Sequence, residues 1–193
     1  MEHNSNNKQI ILENAVQLFA AKGYDGVGVQ EICNASNITK PTLYYYFSNK
    51  AGLLSAIIET KGENLFENLK NAAEYNHNFT DSLKKILKAE IEFAKNNPDF
   101  FMLHFSLSTA SSTAEAALIH QPFAEKLENI FADFFCSSTA EIGNMRGKET
   151  IFSRIFHQIC RSVALDILQQ KLDYNEDILE SVIKAFAFGV VNG

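Results

Sequence analysis

The stretch Asn34 to Leu54, NASNITKPTLYYYFSNKAGLL, restricts the fold more than any other part of the chain. A polar turn with one apolar residue, Ile38, precedes a short segment in which Leu43 and Phe47 lie four apart and so share one helix face. The turn needs a residue in the left-handed region, and Asn37 is of a type that enters it cheaply. Thr39 is a suitable N-cap and Pro41 falls in a first turn, where a missing N–H costs nothing, so the spacing predicts a helix from about Lys40. With Leu43 and Phe47 inward, Lys40, Pro41, Thr42, Tyr44, Tyr45 and Tyr46 stay largely outside, a face that only a partner explains. The competing reading makes LYYYF a β-strand, because aromatics favour strands. Context opposes it. Lys8 to Lys22 places Ile11, Ala15, Leu18 and Phe19 at helical spacing and stops at Gly23, a C-cap, and Val29 to Ala35 forms a second short helix with Ile32 and Cys33 inward.

Ala15, Leu18, Phe19, Gly23, Tyr24, Ile32, Ala35, Ile38, Thr39, Lys40, Thr42, Leu43, Tyr44, Phe47, Lys50 and Leu54 together resemble the TetR family of bacterial transcriptional regulators. The resemblance runs from Ile11 to Leu54. It implies an all-α fold: a three-helix helix-turn-helix DNA-binding domain over residues 1–50, then a helical effector-binding and dimerisation domain over residues 51–193. Four positions depart from the family pattern. Val27 and Gly28 stand where a Thr-Ser or Thr-Thr pair is usual, which removes the hydroxyl N-cap of the second helix; Asn37 replaces a turn Gly, and Ala51 a frequent Glu.

The 193 residues are 46% hydrophobic and can bury a full core, as one large domain or two small ones. No apolar run approaches the roughly 20 residues that span a bilayer, and the polar first nine residues lack the apolar stretch of a signal peptide, so no membrane partner and a cytoplasmic location are expected. Cys33, Cys136 and Cys160 are odd in number and widely spaced, which fits reduced core residues better than a disulfide framework or a metal site.

A net charge of −6 argues against nucleic acid until its distribution is considered. Between Glu31 and Glu59 there is no acid, and that window holds Lys40 and Lys50, both at predicted helix N-termini, where exposed N–H groups favour a phosphate. Thr39, Lys40, Pro41, Thr42, Tyr44, Tyr45, Tyr46 and Lys50 are therefore the candidate contacts to double-stranded DNA. Two lysines per chain bind weakly, so useful affinity needs two copies on one duplex, a homodimer.

After Asn49 the chain reads as helix almost throughout. Helices are predicted from Asn49 towards Ala73, Asp81 to Lys95, Asp99 to Leu107, Ala114 to Cys136 with Pro122 bending or splitting it, Glu149 to Lys171, and Asn175 to about Val191, with a long loop over Ser137 to Lys148. The last two carry broad apolar stripes, and the resemblance implies that they pair with their mates, with Phe156, Val163, Phe186 and Val190 at the dimer interface. The middle helices are dense in Phe. Phe101, Phe105, Phe123 and Phe131, with His104 and His157 to orient a ligand, are the candidate lining of a pocket for a small apolar or aromatic effector, and neither a cofactor nor a metal is expected.

An enzyme is the competing class, since His157 and Cys160 are three apart on one predicted helix, with Asp166 on the next turns. No oxyanion-forming Gly loop, phosphate-binding Gly motif or metal-spaced cluster accompanies them. The reading of the sequence is thus a regulator, a repressor released from a palindromic operator by its effector; the alternative is an effector-independent architectural or cell-division DNA-binding factor. Gly62 lies within the fourth predicted helix either as a loosening point or as a site of close helix approach.

Overall fold

A computed structural model of the chain describes the backbone of residues 2–142 and 145–191 and the side chains of residues 7–142 and 145–188. The described residues form nine helices and no strand: α1 (Glu2–Lys22), α2 (Val29–Ala35), α3 (Lys40–Phe47), α4 (Lys50–Ala72), α5 (Phe79–Asn96), α6 (Pro98–Thr109), α7 (Glu115–Ser138), α8 (Glu149–Leu168) and α9 (Glu176–Val191). The all-α class and the order of helices agree with the sequence reading. The differences lie at ends. Helix α1 begins at Glu2, not Lys8, because a polar stretch free of Gly and Pro prolongs a helix anchored downstream. Helix α7 runs unbroken through Pro122, which forgoes one backbone hydrogen bond without ending the helix.

The chain divides into two compact units, Met1–Glu63 with Asp99–Phe123, and Asn64–Pro98 with Ala124–Gly193. This grouping differs from the expected division after residue 50: the first part of α4, α6 and the start of α7 pack with the helix-turn-helix.

In the first unit Ile11, Ala15, Phe19, Ile32, Leu43, Leu54 and Ile57 are completely buried, so the stripe of α1 closes on the inward faces of α2, α3 and α4. Gly62 sits in this unit as a site of close approach. A Cβ there would lie 2.7 Å from Cε2 and 2.8 Å from Cζ of Phe123. The ring has little room to yield, since Phe100, His104 and His120 surround it at centroid distances of 6.4, 5.6 and 5.9 Å. Gly62→Ala gains about 1 kcal/mol of helix propensity but overpacks this cluster by roughly 1–3 kcal/mol. A lower denaturation midpoint is expected, restored by adding Phe123→Leu; a midpoint above that of the parent would mean that Gly62 loosens the helix instead.

In the second unit α5 packs against α8 and α9. Its core holds Leu83, Ile86, Ile91, Phe131, Phe135 and Phe156. Phe156 touches the rings of Phe131, Phe135 and Phe186 and has no exposed surface. Its expected place at a dimer interface is therefore corrected: it belongs to the chain's own core. Cys33 and Cys160 are buried as expected, but Cys136 is exposed, because it follows two inward residues, Phe134 and Phe135, on the last turn of α7.

Candidate nucleic-acid interface and ligand clefts

The turn between α2 and α3 is built from backbone hydrogen bonds. Ser36 N–H donates to Ile32 O at 3.0 Å and Ile38 N–H to Cys33 O at 3.0 Å, and Asn37 takes φ = 52° between them. Gly28 serves as the N-cap of α2 without a side-chain bond; its carbonyl accepts from Glu31 and Ile32 N–H. Thr39 caps α3, its Oγ1 accepting from Thr42 N–H at 3.4 Å and lying 2.9 Å from Thr42 Oγ1. Ser48, at φ = 63°, ends the helix by donating its N–H to Tyr44 O, and the Asn49 side chain accepts from Gly52 N–H to start α4.

Leu43 and Phe47 are buried, so the opposite face of α3 points outward. Lys40 and Pro41 are exposed there, with Tyr44 at 44% and Tyr45 at 75% relative exposure. Tyr46 is half-buried, edge-on to Tyr45 at 5.2 Å. Lys50 differs from its expected phosphate role. Its Nζ donates to Tyr24 O at 3.0 Å and Val27 O at 3.2 Å and lies 4.0 Å above the Tyr24 ring, so most of its donor capacity is spent holding α4 against the α1–α2 turn. Tyr24 itself is buried and donates its hydroxyl to Glu115 Oε2 at 2.8 Å, a contact the sequence reading did not foresee. Burial, then the Glu115 carboxylate, pushes its pKa up. No local pattern pairs residues 91 positions apart.

The six expected ligand residues do not line one cavity. Phe101 is fully buried. In the first unit His104 Nδ1 and His120 Nε2 are 2.8 Å apart beside Phe123. In the second, His157 stacks on Phe131 at 4.2 Å, and these two line a small cleft of about 150 Å³ with Glu128, Ser153 and Arg154. Burial, with Arg161 adding repulsion, depresses the His157 pKa to about 3. Cys160 is fully buried and its thiol is pushed up by burial, which holds it protonated and removes it as a nucleophile.

A larger cleft, about 430 Å³, opens in the second unit between α4 and α7. Phe66, Ala73, Ile130 and Phe134 form its apolar walls, and Lys70, Glu74, Lys126 and Asp133 its polar rim. None of the six expected residues lines it. Phe66 and Lys70, like Lys126, Ile130 and Phe134, recur at helical spacing, yet only the pairing of the two helices makes them one surface. A third groove, about 490 Å³, follows α8 and α9 along Phe152, Ile159, Val163, Val182 and Phe186. Ile151, Ile155 and Phe188 are exposed at 53%, 42% and 71%. The side chain of Val190, expected at the dimer interface, lies outside the described residues. Among the described residues no group of three His, Cys, Asp or Glu is placed to hold a metal ion, and no helix is long and apolar enough to cross a membrane.

A helix-turn-helix whose third helix turns an aromatic, acid-free face to solvent is followed in the chain by helices that carry ligand-sized clefts. The profile of the bacterial regulatory proteins of the tetR family matches residues 11–57. The match covers 47 of the 193 residues, the helix-turn-helix and the start of α4. The chain is 29% identical over 114 residues to the biofilm operon icaADBC HTH-type negative transcriptional regulator IcaR of Staphylococcus epidermidis, a match covering 58% of this chain and 60% of that protein. With IcaR of Staphylococcus aureus (strain Newman) it is 38% identical over 71 residues, 37% of this chain and 36% of the relative. The matched part thus spans less than two thirds of these relatives' length. The fold recurs in AibR, solved in complex with isovaleryl coenzyme A and operator DNA (TM-score 0.68, 20% identity, 96% of this chain and 98% of that one). It recurs too in the fatty acid degradation regulator FadR from Bacillus halodurans (TM-score 0.70, 18% identity, 96% and 98%).

Proposed function

We propose that the chain is a dimeric DNA-binding transcriptional repressor released from a palindromic operator by a small, largely apolar effector. The observation that carries the DNA reading is the outward face of α3, where Lys40, Pro41, Tyr44 and Tyr45 stand exposed over a helix anchored by Leu43 and Phe47. Lys40 and the hydroxyls of Tyr44 and Tyr46 take phosphates, while Thr39, Thr42 and Tyr45 face base edges in the major groove. Lys50 supports the interface indirectly, by bracing the α1–α2 turn.

One acid-free face with a single exposed lysine makes a weak site, so two copies must act on one duplex, with half-sites one helical turn, about 34–36 Å, apart or multiples of it. The exposed apolar groove of α8 and α9 supports pairing through Val163 and Phe186. Because α4 belongs to both compact units, an effector that moves its second half changes the separation of the two α3 helices, and a mismatch of a few ångströms forfeits half of the contacts.

The test is selection of bound duplexes from a random pool. A near-palindrome is expected. Lys40→Ala should weaken every duplex alike and lower the salt slope by about 1 per site lost, whereas Thr42→Ala or Tyr45→Ala should change the preferred sequence. A protein that binds no duplex better than random DNA at low salt would end this reading.

A further inference from the structure

We infer that the α4–α7 cleft is the effector site and that it takes a singly anionic amphiphile, with its head at Lys70 and Lys126 and its chain along Phe66, Ile130 and Phe134. This rests on the effector reading above and adds the site and the chemistry of the ligand.

Charge placement carries the inference. Lys126 Nζ lies 5.0 Å and Lys70 Nζ 5.7 Å from the centroid of the Phe66 ring, so two ammonium groups converge on one phenyl at one end of the cleft. Among the described residues neither is in an ion pair. Two unneutralised cations over a ring tolerate each other better with an anion between them.

The other end has the opposite sign. Tyr75 meets Phe134 there at 5.9 Å, and Glu74 and Asp133 belong to that rim. Ala73, Ile130 and Phe134 form the apolar walls, with Asp133 between Ile130 and Phe134 along α7. From Phe66 to Ala73 the helical rise amounts to about 10 Å, the length of a medium alkyl chain. The volume of about 430 Å³ falls within the range of small-molecule sites. An acid with an apolar tail matches this polarity; an amine meets the lysines, and a diacid puts its second carboxylate against Glu74 and Asp133.

Calorimetric titration of the full chain with decanoate, decylammonium and decanedioate, all below micelle formation, tests the site. Decanoate should bind about five- to tenfold more tightly than the other two, the difference shrinking at high salt. The double variant Lys70→Gln/Lys126→Gln should lose that preference while keeping the parent melting temperature, because both side chains are exposed. Ile130→Glu should abolish binding. Equal affinity for the three probes, or a preference unchanged in the double variant, overturns the inference, as does a change of molecular mass on Phe66→Asp, which would make the cleft a protein interface. Titrating operator duplex with and without decanoate separates this from the regulatory reading. Lysine-dependent binding that leaves DNA affinity unchanged upholds the site and removes the switch. Release of DNA by a compound indifferent to the double variant upholds the switch and removes the site.

Discussion

Val163→Asp is expected to convert the protein to monomers at micromolar concentration and to lower operator affinity by about 10²–10⁴, the factor that joining two half-site contacts supplies. Val163 is half-buried on α8 and lines the groove that α8 and α9 leave open. In the monomer a carboxylate there stays hydrated, so folding survives. In the dimer it would be buried without a partner, at a cost of several kcal/mol. Light scattering measures the mass, and titration of a full palindrome against a single half-site measures the affinity. Affinity for the half-site should hardly change. A variant that stays dimeric, or a parent that is already monomeric, would sink both the interface and the argument for paired half-sites.

The second large effect lies in the core of the second unit. Glu90 on α5 is buried, neither of its carboxylate oxygens has a hydrogen-bond partner, and the opposing charge comes from Arg161 on α8. Burial raises the Glu90 pKa to about 7, with Arg161 restraining the rise. A raised folded-state pKa means that the folded chain holds the proton more tightly than the unfolded one. The associated stability is complete below about pH 4.5 and is lost as pH rises through about 7, by about 3 kcal/mol. His157 works in the opposite sense. Its pKa is depressed to about 3, so its contribution is complete above about pH 6.5 and is lost as pH falls towards 3. Stability should therefore peak in mildly acidic solution. Glu90→Gln should flatten the alkaline side of the profile, and His157→Phe the acidic side, in denaturant melts at a series of pH values. Arg161→Met at pH 8 leaves the Glu90 carboxylate buried without its countercharge and should cost about 3–5 kcal/mol, mostly recovered in Glu90→Leu/Arg161→Met. A profile unaffected by Glu90→Gln would mean that the carboxyl is already solvated.

The helix-turn-helix was legible because its signals are local. Asn37 at positive φ, Thr39 as cap, Pro41 in the first turn and the Leu43–Phe47 pair each depend on neighbours within four residues, and each appears in the structure as expected. The role of Lys50 was not legible. Its position at a helix start fits a phosphate, and only the approach of the α1–α2 turn shows that its ammonium is engaged by Tyr24 and Val27. The pocket was the least legible part. Density of Phe marks a buried region but cannot distinguish packed rings from rings that line a space, and Phe101 and Phe156 proved to be packed.

What the sequence by itself determined is the order and type of the helices, the turn and the outward face of α3, since caps, breakers and the 3.6-residue period act over a few residues. Tertiary structure decided which apolar faces close on each other. It set Gly62 against Phe123, joined Tyr24 to Glu115, buried Glu90 near Arg161, and turned Phe66, Lys70, Lys126 and Phe134 into one cleft. Those relations join residues tens of positions apart, and helical periodicity specifies which face of each helix is apolar but not which other helix it will meet.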